Sequence, residues 1–124
     1  MNVLLDSCFL SDVRRNLPKA LALHRKFRDD GTTVFIPTIA AAEFLTGGTD
    51  FEQDSRNLAD AGEIVEFSMS DAVAAARIAK ILFGRGAFPG WSDVMIAGMA
   101  ESRGGWEVVT RNTRHFPESK TITY

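Results

Sequence analysis

The sequence predicts an α/β fold built on a central, mainly parallel sheet. Short runs rich in aliphatic, β-branched and aromatic residues, such as Val3-Leu4-Leu5 and Thr32 to Ile36, alternate with longer segments of helical periodicity. The first of these runs, Met1 to Leu5, reads as a short buried strand, as expected where helices cover both faces of a parallel sheet. The composition, 45% hydrophobic and 24% charged, is that of an ordinary globular protein. A chain of 124 residues buries roughly two thirds of its unfolded surface, so one core and a single domain over 1–124 are expected.

The elements follow in order. Met1 to Leu5 is the first strand, and Ser11 to Arg15 a brief helical turn stopped before Pro18. Ala20, Leu23 and Phe27 recur at helical spacing up to the turn at Asp29-Asp30-Gly31. Thr32 to Ile36 is the second strand, ending at Pro37. Thr38 is placed to cap a helix through Leu45 that Gly47-Gly48 terminates. Phe51 to Ala61 is another helix, Ile64 to Phe67 a strand, and Ser70 the expected cap of an Ala-rich helix to Phe83. After the Gly- and Pro-containing loop 84–90, Ser92 is the expected cap of a helix through Ser102. Trp106 to Thr110 and Thr121 to Tyr124 supply the last strands. No repeat, low-complexity tract or interdomain linker interrupts the alternation.

Composition narrows the chemistry. Cys8 is the only cysteine, which excludes an internal disulfide and a multi-cysteine zinc site and fits a reducing compartment. No apolar stretch approaches a membrane span and no secretion signal is visible, so a cytoplasmic location and no membrane partner are expected. The formal charge of −2 does not advertise a passive nucleic-acid binder, but it leaves room for an enzyme with acids concentrated at one site. Neither a P-loop nor a GxGxxG fingerprint is present.

Three carboxylates stand in apolar surroundings. Asp6 immediately follows Val3-Leu4-Leu5, at the carboxyl end of a strand, where open α/β sheets place their sites. Glu43 is the only ionisable residue in Ile39 to Leu45, a helix apolar enough on all sides to be expected largely buried. Asp93 opens the apolar run Val94 to Ala100, where the helix dipole favours its charge. Each has an ordinary reading: a strand stop, an acid paired with an arginine, a first-turn acid. Together they point elsewhere, because acids brought close repel one another unless a cation sits between them. A hard ion such as Mg²⁺, with oxygen ligands and several retained waters, suits such a set; the lack of CxxC and the mere two histidines disfavour zinc.

On these residues the sequence resembles the PIN-domain family, in particular VapC-type toxins of prokaryotic toxin–antitoxin pairs. The resemblance rests on LLDS ending in Asp6-Ser7, AAAEFL with Glu43, SDVMIAGMA with Asp93, and TRNTRHF from Thr110 to Phe116, and it spans nearly the whole chain. It implies a PIN-like three-layer α/β/α sandwich and a metal-dependent endoribonuclease that holds Mg²⁺ or Mn²⁺. Asp6, Glu43 and Asp93 become the acidic metal-site residues, with Asp6 and Asp93 as direct ligands and Glu43 acting directly or through water. Family members commonly carry a fourth acid in the segment corresponding to TRNTRHF, where the candidate in this chain is Asn112, a neutral and weaker ligand.

Around this set, Ser7 and Thr110 are candidates to orient Asp6 or to bind water or phosphate, with a turn or cap hydroxyl as the equal alternative. His115 is expected to pack beside Phe116, and Cys8 to be a buried structural thiol. Arg14, Arg15, Arg85, Arg111 and Arg114 flank the strand ends and loops and are the candidate RNA contacts. The resemblance also implies a cognate antitoxin and a toxin homodimer, with Leu17, Leu21 and Phe44 as antitoxin contacts or, more simply, internal core. A catalytically weak PIN-like RNA-binding or interaction module is the alternative function. A phosphatase of the haloacid-dehalogenase type is disfavoured, since its DxD pair would need an acid where Cys8 stands.

Overall fold

The computed structural model describes residues 1–124 and contains five parallel strands and six α-helices. Chain order is β1 (Asn2–Leu5), α1 (Ser7–Arg14), α2 (Pro18–Asp29), β2 (Thr33–Pro37), α3 (Thr38–Thr46), α4 (Phe51–Ala61), β3 (Glu63–Val65), α5 (Met69–Gly84), α6 (Trp91–Ser102), β4 (Glu107–Val109) and β5 (Thr121–Ile122). A short 3₁₀ turn, Thr113–His115, lies between the last two strands.

The sheet order is β3-β2-β1-β4-β5, and every pairing is parallel. β1 lies in the middle, with Leu4 opposite Phe35 of β2 on one side and Val108 of β4 on the other. Val3, Leu4, Leu5, Val108 and Val109 are buried almost completely, which explains why these strands read as unbroken apolar runs. The chain first builds outward from β1 through β2 to β3, then returns to the other side of β1 as β4. Right-handed crossovers therefore place α5 and α6 on the face opposite α1 to α4. The reversal also makes the gap between the carboxyl ends of β1 and β4 the topological switch point, where such sheets form their clefts.

Several boundaries differ from the sequence reading for local reasons. α1 begins at Ser7 rather than Ser11, because the Asp6 carboxylate accepts the Ser7 amide and caps the helix directly after the strand. Ser68 rather than Ser70 caps α5, through a reciprocal box with Asp71. Pro37 and Gly90, with no side-chain cap bond, precede α3 and α6 where Thr38 and Ser92 were expected to cap. β5 stops at Ile122, which leaves the Tyr124 side chain free to turn back onto α1.

Two contacts lock α5 against α6. Asp71, fully buried, accepts from the Ser68 amide, from the Ser102 hydroxyl and from Arg103 at 2.6 Å, tying the start of one helix to the end of the other. Burial opposes its ionisation, but these hydrogen bonds outweigh it and hold the carboxyl below its usual range. Midway along α6, Gly98 meets the α5 backbone so closely that an added Cβ would lie 2.7 Å from the Ala75 nitrogen.

That clash reverses the usual sign of a helical Gly→Ala change. In open helix the substitution stabilises by roughly 1 kcal/mol, whereas Gly98→Ala is expected to destabilise by about 1–3 kcal/mol through forced separation of the helices. Chemical denaturation of the variant checks this; an increase in stability would show that α5 and α6 do not approach so closely.

Candidate metal centre and adjoining cleft

Asp6 lies at the switch point, with its backbone N–H bonded to the Val109 carbonyl at 3.0 Å, one step beyond the β1–β4 ladder. Its side chain is buried at 3% exposure and tightly oriented. Oδ1 accepts the Ser7 amide at 2.8 Å; Oδ2 accepts the Thr110 hydroxyl at 2.9 Å and the Cys8 thiol at 3.3 Å. Thr110, also fully buried, accepts the Asn112 amide at 3.0 Å through the same hydroxyl. The relay from Asn112 through Thr110 to Asp6 fixes the rotor, so that its proton points at the carboxylate.

Asp93, in the first turn of α6, has His115 Nδ1 at 3.1 Å from its Oδ2. The 3₁₀ turn brings that imidazole in, while Phe116 next to it enters the core. His115 was expected to pack beside Phe116; its polar edge instead addresses the carboxylate. Burial, then the charge of Asp6 and to a lesser extent that of Glu43, push the Asp93 carboxyl up to about 6, against the pull of His115. Asp93 on α6 thus feels both other acids, which arrive from the residue after β1 and from α3.

Glu43 is less enclosed than expected. α3 buries Ala40, Ala41 and Phe44, but Ala42 and Glu43 face outward, and the Glu43 carboxylate has no hydrogen bond or ion pair. A buried carboxylate would need a partner; this one is solvated in an open cleft of about 820 Å³. The cleft runs between α1 and α3 and is lined by Ser7, Cys8, Ser11, Arg14, Arg15, Glu43 and Arg111, among others. Asn112 is partly exposed and its side-chain amide makes no hydrogen bond.

Cys8 also differs from the buried thiol in apolar surroundings that was expected. It is half-buried, with its sulfur 3.3 Å from both Asp6 Oδ2 and Thr110 Oγ1. Burial and the nearby Asp6 charge push its thiol up, so the sulfur keeps its proton and donates.

The arginines separate into distinct roles. Arg14 donates to the Phe44 carbonyl at 3.0 Å, stacks over the Phe44 ring and lies 3.8 Å from Asp54, so it joins α1 to α3 and α4. Arg85 pairs with Glu118, and Arg114 is exposed without a partner. Arg15 and Arg111 converge on Asp12, a residue that the sequence reading passed over. Its carboxylate is fully buried and accepts from Arg15 at 2.5 Å, Arg111 Nε at 2.7 Å and the Tyr124 hydroxyl at 2.6 Å. The i,i+3 spacing of Asp12 and Arg15 was the available signal; Arg111 and Tyr124 come from the other end of the chain.

No three acidic, histidine or cysteine side chains close on a single point. The donor set nevertheless suits a hard cation held by one or two carboxylates and completed by water, the habit of Mg²⁺, and not a closed zinc cage. The raised Asp93 carboxyl is the observation that supports the fit, since burial and the neighbouring acid charges outweigh the pull of His115 there.

A family model for the PIN domain matches residues 3–119. The chain belongs to the PIN-domain family. Solved structures share its fold along nearly the whole length. VapBC2 from Rickettsia felis, bound to a DNA fragment from their promoter, superposes with a TM-score of 0.82 at 19% identity, covering 100% of this chain and 99% of that one. DNA-bound VapBC from Salmonella typhimurium gives 0.79 at 23% identity, covering 99% and 98%. A toxin–antitoxin complex from Klebsiella pneumoniae gives 0.72 at 20% identity, covering 92% and 89%. A comparison with curated protein sequences finds no match.

The Asp93 environment sets a pH dependence. Its folded carboxyl titrates near 6 against an ordinary 3.8, so between those values the folded chain binds more protons than the unfolded one, and stability falls as pH rises. Asp93→Asn removes the ionised group and is expected to stabilise the fold by roughly 2–3 kcal/mol near neutral pH, with the gain vanishing toward about pH 4. Thermal melts of both proteins across that range check the sign. A pH-independent difference would remove the electrostatic explanation.

Proposed function

We propose that this PIN-domain chain is an Mg²⁺-dependent endoribonuclease toxin of the VapC type, restrained by a cognate antitoxin. The observation that carries the reading is the gathering of acids at the β1–β4 switch point, where burial and then the charges of Asp6 and Glu43 raise the Asp93 carboxyl. Asp6 and Asp93 would hold the cation, with Glu43 and the amide oxygen of Asn112 at its periphery. Mn²⁺ would satisfy the same oxygen donors. When bound, the ion would supply an acidified water and offset charge on the scissile phosphate.

The residues of the chain prepare that site. Thr110 and Ser7 orient Asp6 from two sides, so its carboxylate does not have to reorganise when substrate arrives. His115 holds Asp93 and stands within reach to exchange a proton at the Asp93 carboxylate. No side-chain nucleophile is needed, and the protonated Cys8 thiol is unsuited to be one. Of the candidate RNA contacts, Arg14 and Arg85 are engaged by Asp54 and Glu118, so Arg15, Arg111 and Arg114 would counter the repulsion between RNA and the acids, and unpaired RNA segments are the proposed substrates.

The antitoxin reading draws support from the toxin–antitoxin complex among the solved relatives and from an apolar groove between α1, α2 and α4. Leu5, Phe9, Leu10, Val13, Leu58 and Phe44 of α3 line it, all but Val13 buried in the core; Leu17, 42% exposed, lies on the chain entering α2, and Leu21 is half-buried. A homodimer of the toxin and a cytoplasmic location belong to the same reading. No helix is long and apolar enough to cross a membrane.

Purified protein is expected to cleave RNA with Mg²⁺ and to stop with EDTA, and Asp6→Asn or Asp93→Asn is expected to lower kcat/KM by about 10²-fold or more while the fold persists. Gel assays on total RNA, with circular dichroism of each variant, decide the matter. Undiminished cleavage by both variants would reject the site. Binding of RNA with no divalent-dependent turnover would favour the alternative, a catalytically weak RNA-binding module, which the neutral Asn112 also suits.

A further inference from the structure

Asp12 is a buried ion that the carboxylate site does not use. It sits on α1 six residues after Asp6, and all its strong acceptor positions are filled. Oδ1 takes Arg15 Nη2 and a longer contact from Arg111 Nη2 at 3.4 Å; Oδ2 takes Arg111 Nε and Tyr124 Oη. Burial opposes its charge, but the hydrogen bonds from Arg111, Tyr124 and Arg15 outweigh it, so it remains a carboxylate below the usual range. A carboxylate so saturated has no lone pair positioned for a metal and no basicity to spare for catalysis. What it does is hold two guanidinium groups.

Those groups are only partly consumed. Arg111 spends Nε and Nη2 on Asp12, which leaves Nη1 without a partner; Arg15 spends Nη2 and keeps Nε and Nη1. Their side chains are 47% and 60% exposed, and both line the cleft that also contains Ser7, Cys8 and Glu43. With one carboxylate against two guanidiniums the cluster carries net charge +1, and it lies one residue contact from Asp6 through the Cys8 sulfur. Arg14, although in the same cleft, is committed to Phe44 and Asp54.

We propose that Arg15 and Arg111 form a phosphodiester-binding clamp beside the carboxylate site, with Asp12 as its positioning residue. The proposal rests on the ribonuclease reading above for its ligand, a phosphate of the RNA strand next to the one cleaved. A free arginine loses much of its rotamer freedom on gripping a phosphate, and a guanidinium already braced on a buried carboxylate loses less. Tyr124 completes the brace by occupying the Asp12 oxygen that Arg111 Nε shares, so a residue beyond β5 helps to set the clamp.

The sign of one substitution tests this. Removing the Asp12 charge should tighten binding of a polyanion if only net charge matters, and weaken it if Asp12 positions the arginines. Fluorescence anisotropy of a short fluorescein-labelled oligouridylate, titrated with full-length protein in EDTA over a range of NaCl, separates binding from cleavage. Arg15→Gln and Arg111→Gln are each expected to weaken binding by about five- to tenfold and to reduce the salt slope by about 0.7. Asp12→Asn is expected to weaken it by about threefold or more at low salt. Wild-type or tighter binding by Asp12→Asn overturns the positioning role, and unchanged binding by both arginine variants overturns the clamp, as it would if the cleft instead receives an acidic protein segment. Should Asp12→Asn fail to fold, Arg111→Lys decides the same point. It keeps the charge but cannot bridge both Asp12 oxygens, so wild-type affinity there overturns the proposal. Because the assay contains no divalent ion, the expected pattern in a protein that never cleaves RNA would leave the clamp standing and remove only the nuclease reading.

Discussion

The parallel pairing of β1 with β4 is the constraint from which the site follows. These two strands are distant in sequence and adjacent only because the chain reverses direction along the sheet after β3. Their ends bring Asp6 and Thr110 within hydrogen-bond distance. The next residues on each side, α1 on one and the 3₁₀ turn on the other, then present Asp12, Arg111 and His115 to the same region. Shifting that register by one residue would turn Asp6 away from the switch point and separate it from Thr110.

Charge is arranged around this pairing in two unlike ways. At Asp12 and Asp71, buried carboxylates are fully satisfied by cationic and hydroxyl donors and keep their charge; Asp12 braces the edge of the cleft, and Asp71 joins two helices. At Asp93 the balance is reversed. Burial and neighbouring acids make ionisation costly, and a single imidazole compensates only in part. The structural acids are neutralised by arginine donors, whereas at the switch point Asp6 has only neutral donors, Asp93 a single imidazole and Glu43 none. That contrast separates Asp6, Glu43 and Asp93 from the other acids of the chain more sharply than their burial does, since Glu43 is exposed and Asp12 is not.

Much of this was legible before any coordinates. Unbroken apolar runs marked the buried strands, periodicity marked the helices, and the odd placement of Asp6 and Asp93 in core segments marked the candidate site. The errors were local or long-range. At α5 two serines competed for the cap and the box with Asp71 selected Ser68, whereas α3 and α6 start at Pro37 and Gly90 with no side-chain cap at all. Glu43 was expected to be enclosed because its helix is apolar all round, but the helix packs on one side and forms the wall of a cleft on the other.

By itself the sequence determined the order of most elements and the parallel sheet, and it singled out three candidate acids, because periodicity and the cost of burying charge act over a few residues. Tertiary structure alone decided which groups serve which acid. His115 went to Asp93 from the turn after β4, and Thr110 to Asp6 and Arg111 with Tyr124 to Asp12 across most of the chain. Such pairings depend on strand order and register, and these are set by how the whole core closes and not by any segment of it.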